Sequence, residues 1–410
     1  MRKAFISICA ALLCLGTGAA AAAEYPLVYQ YDTKDQTSFD LNVEVPDGNY
    51  LVTLRIGSRK KAGATFVKAE SRRLVVNDLH TAKGEFKTVS FVVNKRDDVI
   101  REDGREVGKV VLKPRENGKL NWDSCLNLEI GGDAPVVESI TIEPASGVTT
   151  VFLCGDSTVV DQDNEPWASW GQMFPWFFDS SVAVANYAES GERADTFIAA
   201  GRLRKILSLM QPGDYVFVEF GHNDQKIDSQ PGKGAYYFFA TQLKTFIDEV
   251  SRRGGVPVLV SPTHRRNFDA DGRIVETHLN YPEAMREVAE REGVAFIDLH
   301  AMSGTFYEAL GVENSKCAFV HYPAGAFPGM DRPVADNTHF NAYGAFELAK
   351  CMVGAVQLHG FPRFAEHIVN FSGFNPSQPD AVESFRWWNS PWRNLAAQVL
   401  EKDDKATEVR

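Results

Sequence analysis

The chain changes its hydrophobic rhythm once, at Pro144-Ala145-Ser146-Gly147, and that change decides what each half can fold into. Before it, apolar residues recur with period two. Phe39, Leu41, Val43 and Val45 alternate with polar residues, as do Tyr50, Val52, Leu54 and Ile56 beyond Pro46-Asp47-Gly48-Asn49. Alternation marks half-buried strands, and the turn between these two predicts a hairpin. Further strands are predicted at 73–77, 87–93, 107–112, 125–130 and 136–142, with no helical pattern among them. Many short strands without helices predict an all-β sandwich or jelly roll over 24–145.

After residue 147 the pattern becomes strand then helix, five times. Apolar runs at 148–154, 182–186, 215–220, 256–261 and 294–298 alternate with helical patterns near 167–178, 196–210, 236–253, 281–291 and 341–358. Such a repeat predicts a five-stranded parallel sheet covered on both faces, a three-layer α/β/α domain over 146–360. Right-handed crossovers bring the C-terminal ends of all its strands to one edge, where loops can hold side chains over a rigid support. From 361 to 410 the chain carries Pro362, Pro376, Pro379 and Pro391 with Trp387, Trp388 and Trp392. This predicts an irregular wrap whose tryptophans pack onto the α/β domain.

The first 23 residues have the order of a secretory signal peptide. Arg2 and Lys3 precede an apolar run, and small residues end at Ala21-Ala22-Ala23 before Glu24. A soluble secreted or periplasmic protein without a membrane anchor is expected. The net charge of −11, about −13 once Arg2 and Lys3 are removed, and the lack of a long basic run argue against a nucleic-acid partner. Outside the leader stand Cys125, Cys154, Cys317 and Cys351, expected as free thiols. With no Cys-x-x-Cys and no His-Glu-x-x-His, neither metal nor cofactor is expected.

The residues that follow the strands carry the chemistry. The first strand breaks into Gly155-Asp156-Ser157-Thr158, the second into Asn186-Tyr187-Ala188-Glu189-Ser190-Gly191, the third into Gly221-His222-Asn223-Asp224, and Asp336-Asn337-Thr338-His339 precedes the last helix. A hydroxyl becomes a useful nucleophile beside a neutral base, which His339 can supply, and Asp336 three residues earlier can fix the imidazole tautomer. His222 is a second conceivable base. A metal set of Asp336, His339, His222 and Asp224 would leave Ser157 unexplained.

Serine, glycine, asparagine and histidine in this order of blocks resemble the SGNH (GDSL-type) hydrolases, over roughly 148–358. The resemblance implies a flavodoxin-like α/β/α fold, with Ser157, Asp336 and His339 catalytic. It also implies that the backbone N–H of Ser157, the backbone N–H of Gly191 and the side-chain amide of Asn223 form the oxyanion hole. After Gly191 this chain reads Glu192-Arg193-Ala194-Asp195-Thr196-Phe197, where the family more often shows Gly-Arg-Ser-Ser-Arg-Thr-Phe, so residues 192–195 have contacts of their own. Gly-Asp-Ser-Thr-Val, Trp170-Gly171-Gln172-Met173 and Arg265-Arg266-Asn267-Phe268 narrow the resemblance to rhamnogalacturonan acetylesterases carrying an added N-terminal β-sandwich of galactose-binding-like type. That resemblance implies deacetylation of plant cell-wall pectin, with Arg265, Arg266 and His222 as substrate-binding candidates. The other readings are esterases for acetyl-xylan, other acylated glycans or lipids, and a non-catalytic carbohydrate-binding protein. The sandwich either binds sugar or braces its neighbour; a separable module would leave hydrolysis of a small aryl acetate intact after removal of 24–143.

Overall fold

The computed structural model describes residues 24–391; residues 1–23, where a signal peptide is expected, Trp392 and the residues after it lie outside them. The first half is built of strands β1 (Leu27–Gln30), β2 (Phe39–Glu44), β3 (Gly48–Gly57), β4 (Gly63–Ala69), β5 (Arg73–Thr81), β6 (Phe86–Lys95), β7 (Val99–Glu102), β8 (Arg105–Lys109), β9 (Cys125–Ala134) and β10 (Val137–Pro144). Two four-stranded antiparallel sheets, β1-β10-β3-β6 and β2-β9-β4-β5, share one core of Val43, Val52, Leu54, Val67, Leu128 and Ile140.

The hairpin expected around Pro46 is not formed. Strand β2 pairs with β9 in one sheet, while β3 pairs with β10 and β6 in the other. The chain arches across the core, so the inward residues of β2 and β3 meet face to face rather than side by side. Period-two alternation specifies an inward face but not the strand beside it. Strand β4 escaped the pattern altogether, since all seven of its residues are buried. Its outer face is covered as well: Lys68 Nζ donates to Trp388 O at 2.6 Å and to Ser390 Oγ at 2.8 Å.

The second half forms one five-stranded, wholly parallel sheet of β11 (Thr149–Gly155), β12 (Val182–Asn186), β13 (Tyr215–Glu219), β14 (Val256–Val260) and β15 (Ala295–Ile297), in the order β12-β11-β13-β14-β15. Val151, Leu153, Phe217 and Val258 face one apolar layer, and Phe152, Cys154, Val216 and Leu259 face the other. Each such side chain, fully buried, contributes about 1.5–3 kcal/mol, which fixes the sheet as a rigid platform. The order reverses at β11, so the switch point lies between β11 and β13, where open α/β sheets have their crevice.

The helices depart more from expectation. The segment 167–178 is a single turn, α1 (Trp170–Met173), followed by a tight 3₁₀ turn over Phe174–Phe177 containing Pro175. The segment 196–210 splits at Gly201 into α2 (Ala194–Ala199) and α3 (Arg202–Leu209). Helices α4 (Ala240–Arg252) and α5 (Tyr281–Glu292) lie near their predicted places, but α6 (Leu299–Asn314), which runs through Gly304 and is kinked at Gly311, was not foreseen. An unforeseen antiparallel pair, β16 (Phe319–Tyr322) and β17 (Val334–Phe340), precedes α7 (Ala342–His359).

The C-terminal wrap touches both halves rather than the α/β domain alone. Trp387 packs on the α/β core and donates to Glu165 at 2.9 Å, whereas Trp388 lies on Gly131 of β9. The four cysteines of the described residues are free thiols. Among those residues no helix is long and apolar enough to cross a membrane.

Candidate active site

Strand β11 ends at Gly155, where a Cβ would fall 3.0 Å from Glu219 O on the neighbouring strand and 2.5 Å from the Val159 side chain. Glycine therefore lets the chain turn sharply against β13 and leaves Ser157 just above the sheet edge. Ser157 Oγ lies 2.8 Å from His339 Nε2, and His339 Nδ1 lies 2.7 Å from Asp336 Oδ2. A carboxylate only accepts, so Nδ1 carries the proton and Nε2 is left as acceptor for the serine hydroxyl. Asp336 and His339 sit within β17 rather than in a free turn. Asp336 Oδ1 accepts from the backbone N–H groups of Thr338 at 2.8 Å and His339 at 2.9 Å, which aims its second oxygen at the ring. Burial would raise the Asp336 carboxyl, but His339 and those N–H donors hold it down to about 2. It is thus ionised wherever the histidine is neutral.

Asn223 follows β13 across the switch point. Its Nδ2 donates to Glu192 O at 3.0 Å and reaches Asp156 Oδ2 only at 3.3 Å, while its Oδ1 accepts from Lys226 Nζ at 2.9 Å. The amide is oriented on both sides, with one N–H weakly held. Gly191 has φ of +71°, a conformation that side chains rarely adopt, and the loop carrying it is gripped from the sandwich. Lys113 Nζ donates to Ser190 O at 2.6 Å and pairs with Glu192 at 3.0 Å. Arg115 Nε donates to Glu189 at 2.8 Å, its Nη2 to Ser190 O, and Lys119 Nζ lies 3.3 Å from the second Glu189 oxygen. Burial alone would raise Glu189, but Lys119, Arg115 and Arg202 hold it down to about 2. Of the acids that follow Gly191, Glu192 is answered by Lys113 from the N-terminal half, whereas Asp195 pairs with Arg193 beside it at 2.8 Å. Lys113, Arg115 and Lys119 carried no signal in the sequence, because their partners lie about 70 residues away.

The substrate-binding candidates divide. Arg265 lines a small pocket with Ser157, His339, Asn223, His222 and Lys226. One of its arms donates to His222 O at 3.0 Å and the other to Thr277. Arg266 is a correction: it is buried, with Nε on Ser315 Oγ at 2.9 Å, Nη1 on Asn337 Oδ1 at 3.1 Å and Nη2 on Val312 O. Its guanidinium ties α6 to β17 instead of facing the pocket. Neither arginine belongs to a solvated surface pair. The His222 ring is buried and its Nδ1 stands 3.8 Å from Asp156, so it has no contact with Ser157 comparable to that of His339.

Behind Ser157 lies a buried acidic pair. Glu219 accepts from Trp170 Nε1 at 2.6 Å and Asp156 from the Thr158 N–H at 3.1 Å, and the Thr158 hydroxyl lies between the two acids, 2.9 Å from Glu219 and 3.0 Å from Asp156. Burial first, then the nearby Asp156, pushes the Glu219 carboxyl up to about 8. A carboxyl whose folded pKa is raised contributes stability that is complete below its unfolded value and is lost as pH rises through the folded one. Thermal unfolding midpoints should therefore fall between about pH 5 and pH 8, and Glu219→Gln should flatten that fall. A variant whose profile parallels the native one would show that Glu219 does not titrate there.

A doubly covered parallel sheet whose first strand ends on a serine that is hydrogen-bonded in one chain to a histidine and a carboxylate of β17 defines a serine-hydrolase type of site. The model of the GDSL-like lipase/acylhydrolase family matches residues 153–345. Rhamnogalacturonan acetylesterase RhgT of Bacillus subtilis is 40% identical over 225 residues, which are 54% of this chain and 95% of that protein. The rhamnogalacturonan acetylesterase of Emericella nidulans is 28% identical over 242 residues, 54% of this chain and 90% of that one. The crystal structure of the Bacillus subtilis protein YxiM aligns over 82% of this chain and 84% of its own, at 24% identity and a TM-score of 0.48. The chain belongs to the GDSL-like lipase/acylhydrolase family and is a carboxylic ester hydrolase.

Proposed function

We propose that this protein is an exported carbohydrate esterase that removes O-acetyl groups from pectic rhamnogalacturonan, with Ser157 as nucleophile. The observation that carries the reading is the unbroken chain from Ser157 Oγ through His339 to Asp336 at 2.8 and 2.7 Å. Ser157 Oγ adds to the acetyl carbonyl as its proton passes to His339 Nε2, and Asp336 stabilises the imidazolium. The oxyanion is received by the backbone N–H groups of Ser157 and Gly191 and by the Asn223 amide. Loss of one such donor costs about 10²- to 10³-fold in turnover. Collapse breaks the bond to the sugar oxygen, which takes the proton from His339. Water then attacks the acetyl-serine with His339 as base, releasing acetate and restoring the hydroxyl.

Two features support the substrate. The pocket beside Ser157 is small, about 10 Å³ or room for roughly one water molecule, which suits a short acyl group at its mouth better than a long lipid chain. Arg265 and Lys226 on its wall place positive charge where a galacturonate carboxylate would pass, although the chain as a whole is acidic. The 40% identity to RhgT supports the pectic polymer over xylan.

Acetate release from acetylated rhamnogalacturonan and acetylated xylan, measured side by side for the native protein and Ser157→Ala, tests the proposal. Serine-dependent release favouring the pectin is expected. Preference for xylan would replace the substrate and keep the chemistry, and release that survives Ser157→Ala would discard the mechanism. Export is checked by N-terminal sequencing of the processed protein, expected to begin at or next to Glu24.

A further inference from the structure

Behind the pocket wall, four side chains from separate segments meet: His264 just after β14, Glu276 and His278 on the connection to α5, and His300 in the first turn of α6. One ligand atom from each lies within 4.8 Å of all the others. His278 is fully buried, yet neither ring nitrogen has a hydrogen-bond partner, and Nδ1 of His264 is likewise unpartnered. His300 completes the group. Its Nδ1 lies 2.7 Å from Pro262 O, a carbonyl that can only accept, so Nδ1 carries a proton. Its Nε2 faces Glu276 Oε2, 2.6 Å away. That contact is met either by a second ring proton or by a cation that the imidazole and the carboxylate bind together.

We infer that His264, Glu276, His278 and His300 form a binding site for a divalent transition metal of the zinc class. Three imidazoles and one carboxylate are a donor set that zinc accepts, and an Nδ1–H bonded to a backbone carbonyl is the usual way of fixing a ligating histidine. Tetrahedral zinc holds its donors roughly 3.3 Å apart, so the His300–Glu276 pair at 2.6 Å would open and the wider pairs, up to 4.8 Å, would close. The His278 ring also stands edge-on to that of His222, with centroids 4.5 Å apart. A bound metal would therefore pin α6 and the 262–278 segment behind the pocket wall. No sequence motif announced the site, because its ligands are separated by 12, 2 and 22 residues and close only through the fold.

The test uses the full chain, stripped with EDTA and then given zinc or, as a spectroscopic probe, cobalt. Close to one zinc per chain should survive dialysis, Tm should rise by about 5 °C at saturation, and cobalt should give the intense visible bands of a tetrahedral site. Glu276→Gln and His264→Ala alter side chains that are not fully buried and should leave a folded protein whose zinc affinity falls at least about tenfold. A folded native chain that retains no zinc and shows no Tm shift would overturn the inference, leaving a proton shared between His300 and Glu276. Variants that bind as tightly as the native chain would also overturn it, by placing the metal elsewhere.

Discussion

Asp336→Asn is expected to lower kcat about 10⁴-fold with the fold unchanged, a loss approaching that of Ser157→Ala. The geometry gives the reason. Asp336 Oδ1 is claimed by the N–H groups of Thr338 and His339, and these donors would hold the one carbonyl oxygen of an asparagine in the same place. Its NH₂ group would then face His339 Nδ1, where Oδ2 now accepts at 2.7 Å. A donor there forces Nδ1 to be the acceptor and sends the ring proton to Nε2, which can no longer take the serine proton. Reorientation of the amide would restore the tautomer only by setting NH₂ against two backbone N–H groups. Burst kinetics with an aryl acetate at several pH values would check this, with acylation slowed throughout the range and the unfolding midpoint within a few degrees of the native one. Turnover within tenfold of native would remove Asp336 from the mechanism.

The parts legible in the sequence share one property: each signal was local. Ser157 and Asn223 follow buried strands in short polar breaks, and parallel topology carries those breaks to one edge, while His339 stands just before the last helix, within β17. Strand β12 could be bounded from its apolar run for the same reason. What stayed hidden depends on partners far along the chain. The arch between β2 and β3 and a hairpin have the same alternation, so only the pairing to β9 and β10 separates them. Arg266 reads as a substrate-binding candidate until Ser315, Asn337 and Val312 are seen to take up its guanidinium. The role of the sandwich was undecided because Lys113 and Arg115 look like ordinary loop cations until Glu189 and Ser190 lie beside them.

Removal of residues 24–143 is accordingly expected to abolish hydrolysis of a small aryl acetate as well as of polymer, contrary to what a separable module would do. The two halves share more than a surface. Leu74 of β5 belongs to the α/β core, and Trp122 packs edge-on against Tyr187 at 6.0 Å on the loop that leads to Gly191. Arg73 Nε donates to Asp161 at 2.6 Å, Asp161 in turn accepts from Asn186 at 2.8 Å, and Glu116 pairs with Arg202 with both side chains fully buried. Truncation would put these charges back in water, so their desolvation is not the main loss. The loss is order: Ser190 O and the Glu189 carboxylate would lose their three cationic donors, and Gly191 would no longer be held where its N–H can meet an oxyanion. Misplacing one such donor costs about 10²-fold or more in turnover. A Lys113→Ala, Arg115→Ala double variant separates this effect from a failure to fold, since both side chains are partly exposed and Lys119 still faces Glu189. It should keep the native Tm within a few degrees and lose kcat on the aryl acetate with KM little changed, because the donor matters most when negative charge develops on the oxygen. A rise in KM on polymer alone, with aryl acetate turnover untouched, would mean that the sandwich holds the polysaccharide and leaves the oxyanion loop to support itself.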